Sequence, residues 1–87
     1  MQIKKIVNIQ VQNTVNLSAT NGYQSVTVPL SSYGFSKTPI PLLRGCTWCL
    51  ADISSISKDS MTVLLTNYYN GTLDAGTGGV RITLIEI

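Results

Sequence analysis

Apolar residues recur at every second position over most of this chain, and that period is the tightest constraint on what it can fold into. Successive side chains of a strand point to opposite faces, so alternation gives one apolar and one polar face. From the N-terminus the odd positions read Ile3, Lys5, Val7, Ile9, Val11, Asn13, Val15, Leu17 and Ala19. Gln10, Gln12, Thr14, Asn16 and Ser18 lie between them. The run is long for one strand, so a break is expected near Asn13. Thr20-Asn21-Gly22 is a turn signal. Val26, Val28 and Leu30 then alternate with Ser25, Thr27 and Pro29, and Pro29, lacking an amide donor, belongs at a strand end or sheet edge.

Further along, residues 31–37 read as a connection. Thr38-Pro39-Ile40-Pro41 must be extended, because each proline fixes its own φ and biases the residue before it. Residues 42–50 place Cys46, Trp48 and Leu50 on one face of a strand, with Trp48 expected in the core or at a subunit interface. Ile53 and Ile56 follow among serines, and Lys58-Asp59-Ser60 turns the chain. Residues 61–69 form a strong strand with Val63, Leu65, Asn67 and Tyr69 on one face. A glycine-rich loop occupies 70–79, and Val80, Ile82 and Leu84 face one way in the last strand. No window repeats strong helix formers at three- and four-residue spacing. The expected fold is all-β: one domain over residues 1–87, a small antiparallel β-sandwich or a small barrel.

Composition bears on what such a domain needs. Only 11% of the 87 residues are charged and 44% are hydrophobic, so polar cover must come largely from 19 Ser and Thr and six Asn. A chain this short also buries a modest share of its surface. Together these favour burial against copies of itself. The net charge of +2 includes one adjacent basic pair, Lys4-Lys5, with no basic stripe, so nucleic-acid binding is not expected. No apolar run is long enough for a transmembrane helix, and the N-terminus lacks the apolar segment of a secretion signal. Synthesis in a cytoplasm, or export by a route without a cleaved signal, is expected, with no membrane insertion.

The chain has no histidine, which removes imidazole-based triads and most zinc chemistry. Asp52, Asp59, Asp74 and Glu86 show no spacing that demonstrates a catalytic pair, and each reads as a turn residue or solvated charge. Gly76-Thr77-Gly78-Gly79 opens a strand and not a helix, so it reads as a hairpin loop and not a phosphate cradle. Cys46-Thr47-Trp48-Cys49 has redox spacing in extended surroundings. There the two thiols read as separate small residues, one inward and one partly covered. No enzyme activity and no cofactor are expected.

Two readings compete for Tyr68-Tyr69-Asn70, with Asp74 in the following loop and Arg81 at the start of the next strand. In the first, the rings cover the apolar face of a pyranose while Asn70, Asp74 and Arg81 take its polar groups. In the second, one tyrosine faces the core and the other an edge or a neighbouring subunit.

The order of features is also familiar. It runs through Phe35-Ser36-Lys37-Thr38-Pro39-Ile40, then Ile53-Ser54-Ser55-Ile56-Ser57 with Met61-Thr62-Val63, then a loop and Val80-Arg81-Ile82-Thr83-Leu84-Ile85-Glu86-Ile87. Over residues 24–87 this resembles the small β-sandwich modules at the tips of bacteriophage tail fibres and receptor-binding proteins, and the related H-type lectin fold. The resemblance implies a virion protein exposed on the particle surface and assembled as a trimer. It would bind host glycans or cell-wall polymers near loops or subunit boundaries, with residues 1–20 leading in from a shaft or adding strands to the head. Fibre proteins are long, however. An 87-residue chain fits an excised tip, or a decoration protein that oligomerises and binds other virion proteins without binding sugar.

Overall fold

In a computed structural model of the protein, residues 2–87 are described. Six strands form: β1 (Lys5–Gln12), β2 (Tyr23–Pro29), β3 (Ile40–Thr47), β4 (Cys49–Ile56), β5 (Ser60–Asn67) and β6 (Gly79–Glu86). A single 3-10 turn, Ser31–Tyr33, is the only helical element among the described residues. All pairings are antiparallel, giving two three-stranded sheets ordered β1-β6-β3 and β2-β5-β4. The sheets share one core, in the manner of a sandwich.

The alternation explains which faces meet. Val7, Ile9 and Val11 of β1 stand opposite Leu84, Ile82 and Val80 of β6. Val28, Val26 and Gln24 of β2 stand opposite Met61, Val63 and Leu65 of β5. Directly opposed residues share a face, so these sets are the two inner surfaces. Met61, Val63, Leu65, Val80, Ile82 and Leu84 are essentially inaccessible to solvent. They belong to the two central strands, which have a neighbour on each side. Each such side chain contributes roughly 1.5–3 kcal/mol relative to leaving it exposed.

Strand β1 stops at Gln12, and the alternation after it belongs to a loop, as expected near Asn13. Pro29 ends β2, an edge strand. The segment 42–50 departs from the single strand expected there. The chain breaks at Trp48, whose φ of 62° ends β3 and starts β4 in the opposite sheet. Trp48 is 61% exposed and is not in the core. Cys46 pairs with Val80 in one sheet and Cys49 with Asn67 in the other, so the two thiols are separated by a corner. Both are free, Cys49 buried and Cys46 exposed. Tyr69 also leaves the face assigned to it, because β5 ends at Asn67. Each of β3 and β4 carries one register shift, between Leu43 and Gly45 and between Ile53 and Ser55.

The end of the sandwich opposite Trp48 is closed by the segment 30–39, which buries Leu30, Phe35 and Pro39. Here one carboxylate departs from the solvated role expected of it. Glu86 continues the inward row of β6 and is only 4% exposed. Its Oε1 accepts the backbone N–H of Ser36 at 2.7 Å and the Ser36 hydroxyl at 3.1 Å. Opposite it in register, Lys5 donates from Nζ to the carbonyls of Tyr33 and Gly34 at 2.6 and 3.1 Å. The Ser36 amide, followed by the Ser36 hydroxyl, the Lys5 charge and the Lys37 amide, outweighs desolvation and holds the Glu86 carboxyl below its ordinary value.

A carboxyl whose folded pKa is depressed stabilises the fold above its unfolded pKa, near 4.3 for Glu, and loses that contribution as pH falls through the lower folded value. Urea unfolding of the wild type is therefore expected to show falling stability below about pH 4.5. Glu86→Gln should flatten that fall. An unchanged slope in the variant would show that Glu86 does not carry it.

Candidate functional site

Two long loops and a one-residue corner converge where β1, β3 and β5 end and β2, β4 and β6 begin: the loops 13–22 and 68–78 and the corner at Trp48. Neither loop has a strand ladder of its own, apart from an isolated bridge between Leu17 and Leu73. Their backbone polar groups need other partners. Scattered backbone bonds supply part of them, such as Thr20 N–H to the Tyr69 carbonyl and Gly76 N–H to the Asn13 carbonyl, and two buried asparagines add side-chain partners.

Asn67 is fully buried. Its Nδ2 donates to the carbonyls of Leu17, Ser18 and Gly71 at 3.2, 3.0 and 2.9 Å. Its Oδ1 accepts the N–H of Tyr69 at 2.8 Å. Asn13, 2% exposed, donates from Nδ2 to the carbonyls of Val15 and Asp74 at 2.9 and 3.0 Å. It accepts the N–H of Gly78 at 2.9 Å. One carboxamide thus ties the first loop to the tyrosine-bearing turn, and the other ties it to the glycine-rich segment.

The side chains held up by this frame are aromatic. Trp48 and Tyr69 meet edge to face, with ring centroids 5.3 Å apart at an interplanar angle of 64°. Together with Tyr68, Leu50 and Cys49 they line a shallow groove of about 340 Å³. Gly71 lies beneath it: a Cβ there would lie 2.7 Å from Cε2 of Tyr69, so a larger residue would push that ring aside. Tyr68 is 63% exposed, Tyr69 44% and Leu50 55%. Covering a further ~100 Å² of each ring would gain roughly 2–3 kcal/mol per ring. In a domain of this size that is a large stabilisation to leave unused.

The Trp48 backbone sharpens the point. A bulky residue at positive φ is an outlier costing about 1–3 kcal/mol, and glycine would turn the same corner without strain. The ladders on either side hold it there, Thr47 opposite Gly79 and Cys49 opposite Asn67. Cys49 adds a thiol contact to the Gly79 carbonyl at 3.7 Å, and burial pushes that thiol's pKa up. It is therefore held protonated and in poor condition to act as a nucleophile.

Of the residues singled out in the sequence, Tyr68 and Tyr69 meet in the groove. Asn70 follows them on the exposed turn, and Asp74 lies farther along the same loop, also exposed. Arg81 is elsewhere, lining a separate depression on the outer face of the β1-β6-β3 sheet. Trp48 and Leu50 are groove residues that the sequence reading placed differently. A signal existed in the extended run 40–56, which is too long for one strand and so had to turn. Among the described residues no group of three or more His, Cys, Asp or Glu side chains is placed to hold a metal ion, and no helix is long and apolar enough to cross a membrane.

The Asn67 frame makes a specific prediction. Asn67→Asp keeps the shape but points a carboxylate oxygen at three carbonyls; Leu17 keeps the Leu73 N–H, while Ser18 and Gly71 lose the Asn67 donor at about 1–3 kcal/mol each. Denaturant unfolding should show a loss of several kcal/mol, against about zero for Asn70→Asp on the exposed turn. Equal effects of the two would remove Asn67 from the role described. Comparison of the chain with known families, with curated proteins and with solved structures finds no match.

Proposed function

We propose that this chain is a carbohydrate-binding head domain of the phage fibre-tip type, displayed on a virion and working as a trimer. The observation that carries the reading is the aromatic groove of Trp48, Tyr68 and Tyr69, raised on a hydrogen-bonded frame and left open to solvent. Exposed rings with polar edges suit the apolar face of a pyranose, whose hydroxyls would be met by the tyrosine hydroxyls and by Asn70 and Asp74 on the same loop. A shallow groove fits a polymer laid along it better than a small molecule enclosed by it. The strained tryptophan supports the same reading, since backbone strain persists at positions where the side chain is needed.

Self-association has its own support. On the outer face of the β1-β6-β3 sheet, Ile6, Ile85 and Ile40 form a row across all three strands, with Leu42 in the next row. Ile6, Ile40 and Leu42 are each more than half exposed. This row also favours a second reading, a decoration protein that assembles with its copies and other virion proteins without binding sugar.

Glycan-array binding and emission of the single tryptophan separate the two readings. Sugar binding should fall by about ten- to a hundredfold in Tyr69→Ala and Trp48→Gly, the equivalent of about 1.5–3 kcal/mol of lost ring contact. Trp48→Gly should keep the melting temperature, because relief of about 1–3 kcal/mol of strain offsets the lost edge contact of about 0.5–1.5 kcal/mol. Full binding by both variants would sink the groove as the site. Sedimentation should give three copies for the wild type and a smaller species for Ile40→Ser; a wild-type monomer would remove the trimer.

A further inference from the structure

The outer face of the β1-β6-β3 sheet holds a second concavity, and the strand register explains it. Gln10, Arg81 and Gly45 form one row across the three strands, and Gln12, Gly79 and Thr47 form the next. Glycine therefore stands on an edge strand in one row and on the central strand in the adjacent row. No side chain fills either place, and the sheet is dented. The depression measures about 270 Å³ and is lined by Gln10, Gly45, Thr47, Gly79, Val80 and Arg81. The Val80 side chain is buried in the core, so the floor there is backbone.

The two glycines are present for different reasons. A Cβ on Gly79 would lie 2.5 Å from the Val11 carbonyl oxygen, so the fold itself excludes a larger residue. A Cβ on Gly45 would meet only Nη2 of Arg81, at 3.6 Å, which is ordinary contact, and Gly45 has no positive φ. Packing and backbone geometry make no demand for glycine at position 45. What its missing side chain does is keep the dent open beside a guanidinium. That guanidinium has no acidic partner: the one ion pair among the described residues is Lys58–Asp59, and no carboxylate lines the depression.

We propose that this dent binds a singly charged oxyanion carried on a small polyhydroxylated unit. One guanidinium supplies one positive charge, and its planar fork matches a pair of oxygens. The Gln10 carboxamide and Thr47 hydroxyl both donate and accept, which suits hydroxyl groups flanking the anion. The volume lies at the small end for ligand sites and admits one sugar or polyol unit. The carboxylate of an acidic sugar and the phosphodiester of a polyol phosphate polymer present the same singly charged oxygen pair. The site does not rest on the aromatic groove, which shares no lining residue with it.

The test is an NMR titration of the full chain with methyl glucuronoside, glycerophosphoglycerol and neutral methyl glucoside. At least one of the two anions should shift the Arg81 Nε–H and the Gly45 and Gly79 amides, and the tighter of the two names the source. The neutral glucoside should leave those signals in place. Arg81→Gln should weaken binding about tenfold or more. Gly45→Ala, which puts a methyl group into the dent beside Arg81 without a clash, should weaken it while preserving the melting temperature. Tyr69→Ala should leave this site intact, whatever it does to the groove. No shift with either anion, equal binding of the neutral glucoside, or unchanged affinity in Arg81→Gln would each overturn the proposal.

Discussion

Two carboxamides carry the end of the molecule where its aromatic side chains are displayed. The loops 13–22 and 68–78 pass over the mouth of the sandwich with only scattered backbone bonds between them, and the carbonyls of Val15, Ser18 and Gly71 take side-chain donors instead. Asn67 and Asn13 provide those donors from below. Each also accepts one amide from the loop it supports. An amide group can do both at once, which neither Asp nor Leu of the same shape can. Because such a frame is satisfied at every position or strongly unfavourable, it permits one arrangement of the tyrosine turn. Trp48 then meets Tyr69 edge to face, and the groove is built into the fold itself.

The strands were legible in the sequence because their signal is local. Period-two alternation and proline placement locate β1, β2, β5 and β6 to within a few residues, and they identify the inward set on each central strand. What the alternation could not show is where an extended run changes sheet. Residues 40–56 alternate well enough through Trp48, and only the pairing of Thr47 with Gly79 and of Cys49 with Asn67 reveals the corner. The faces assigned to Trp48 and Tyr69 failed for that reason, since both lie just past a strand end.

The candidate site divides along the same line. Tyr68 and Tyr69 were found from local chemistry, an adjacent aromatic pair at a strand-to-loop boundary. Arg81 was grouped with them through nearness in sequence, yet the strand it lies on belongs to the opposite sheet and carries it to another surface. Asn67 gave no signal beyond a polar residue in an apolar row. Glu86 was hidden in the same way, because its partner Ser36 is fifty residues distant in the chain.

The bulges in β3 and β4 have a bearing on how copies of this chain can meet. All four edge strands expose unsatisfied backbone groups, and a chain with few charges has little to discourage edge-to-edge growth into fibres. Both bulged strands are edges, one in each sheet. An extra residue breaks the regular spacing of donors and acceptors that an incoming strand would need. Open-ended addition along these two edges is thereby hindered. If copies of the chain associate, the exposed row of Ile6, Ile40 and Leu42 is the surface left for it, and contact there can close at a finite number of subunits.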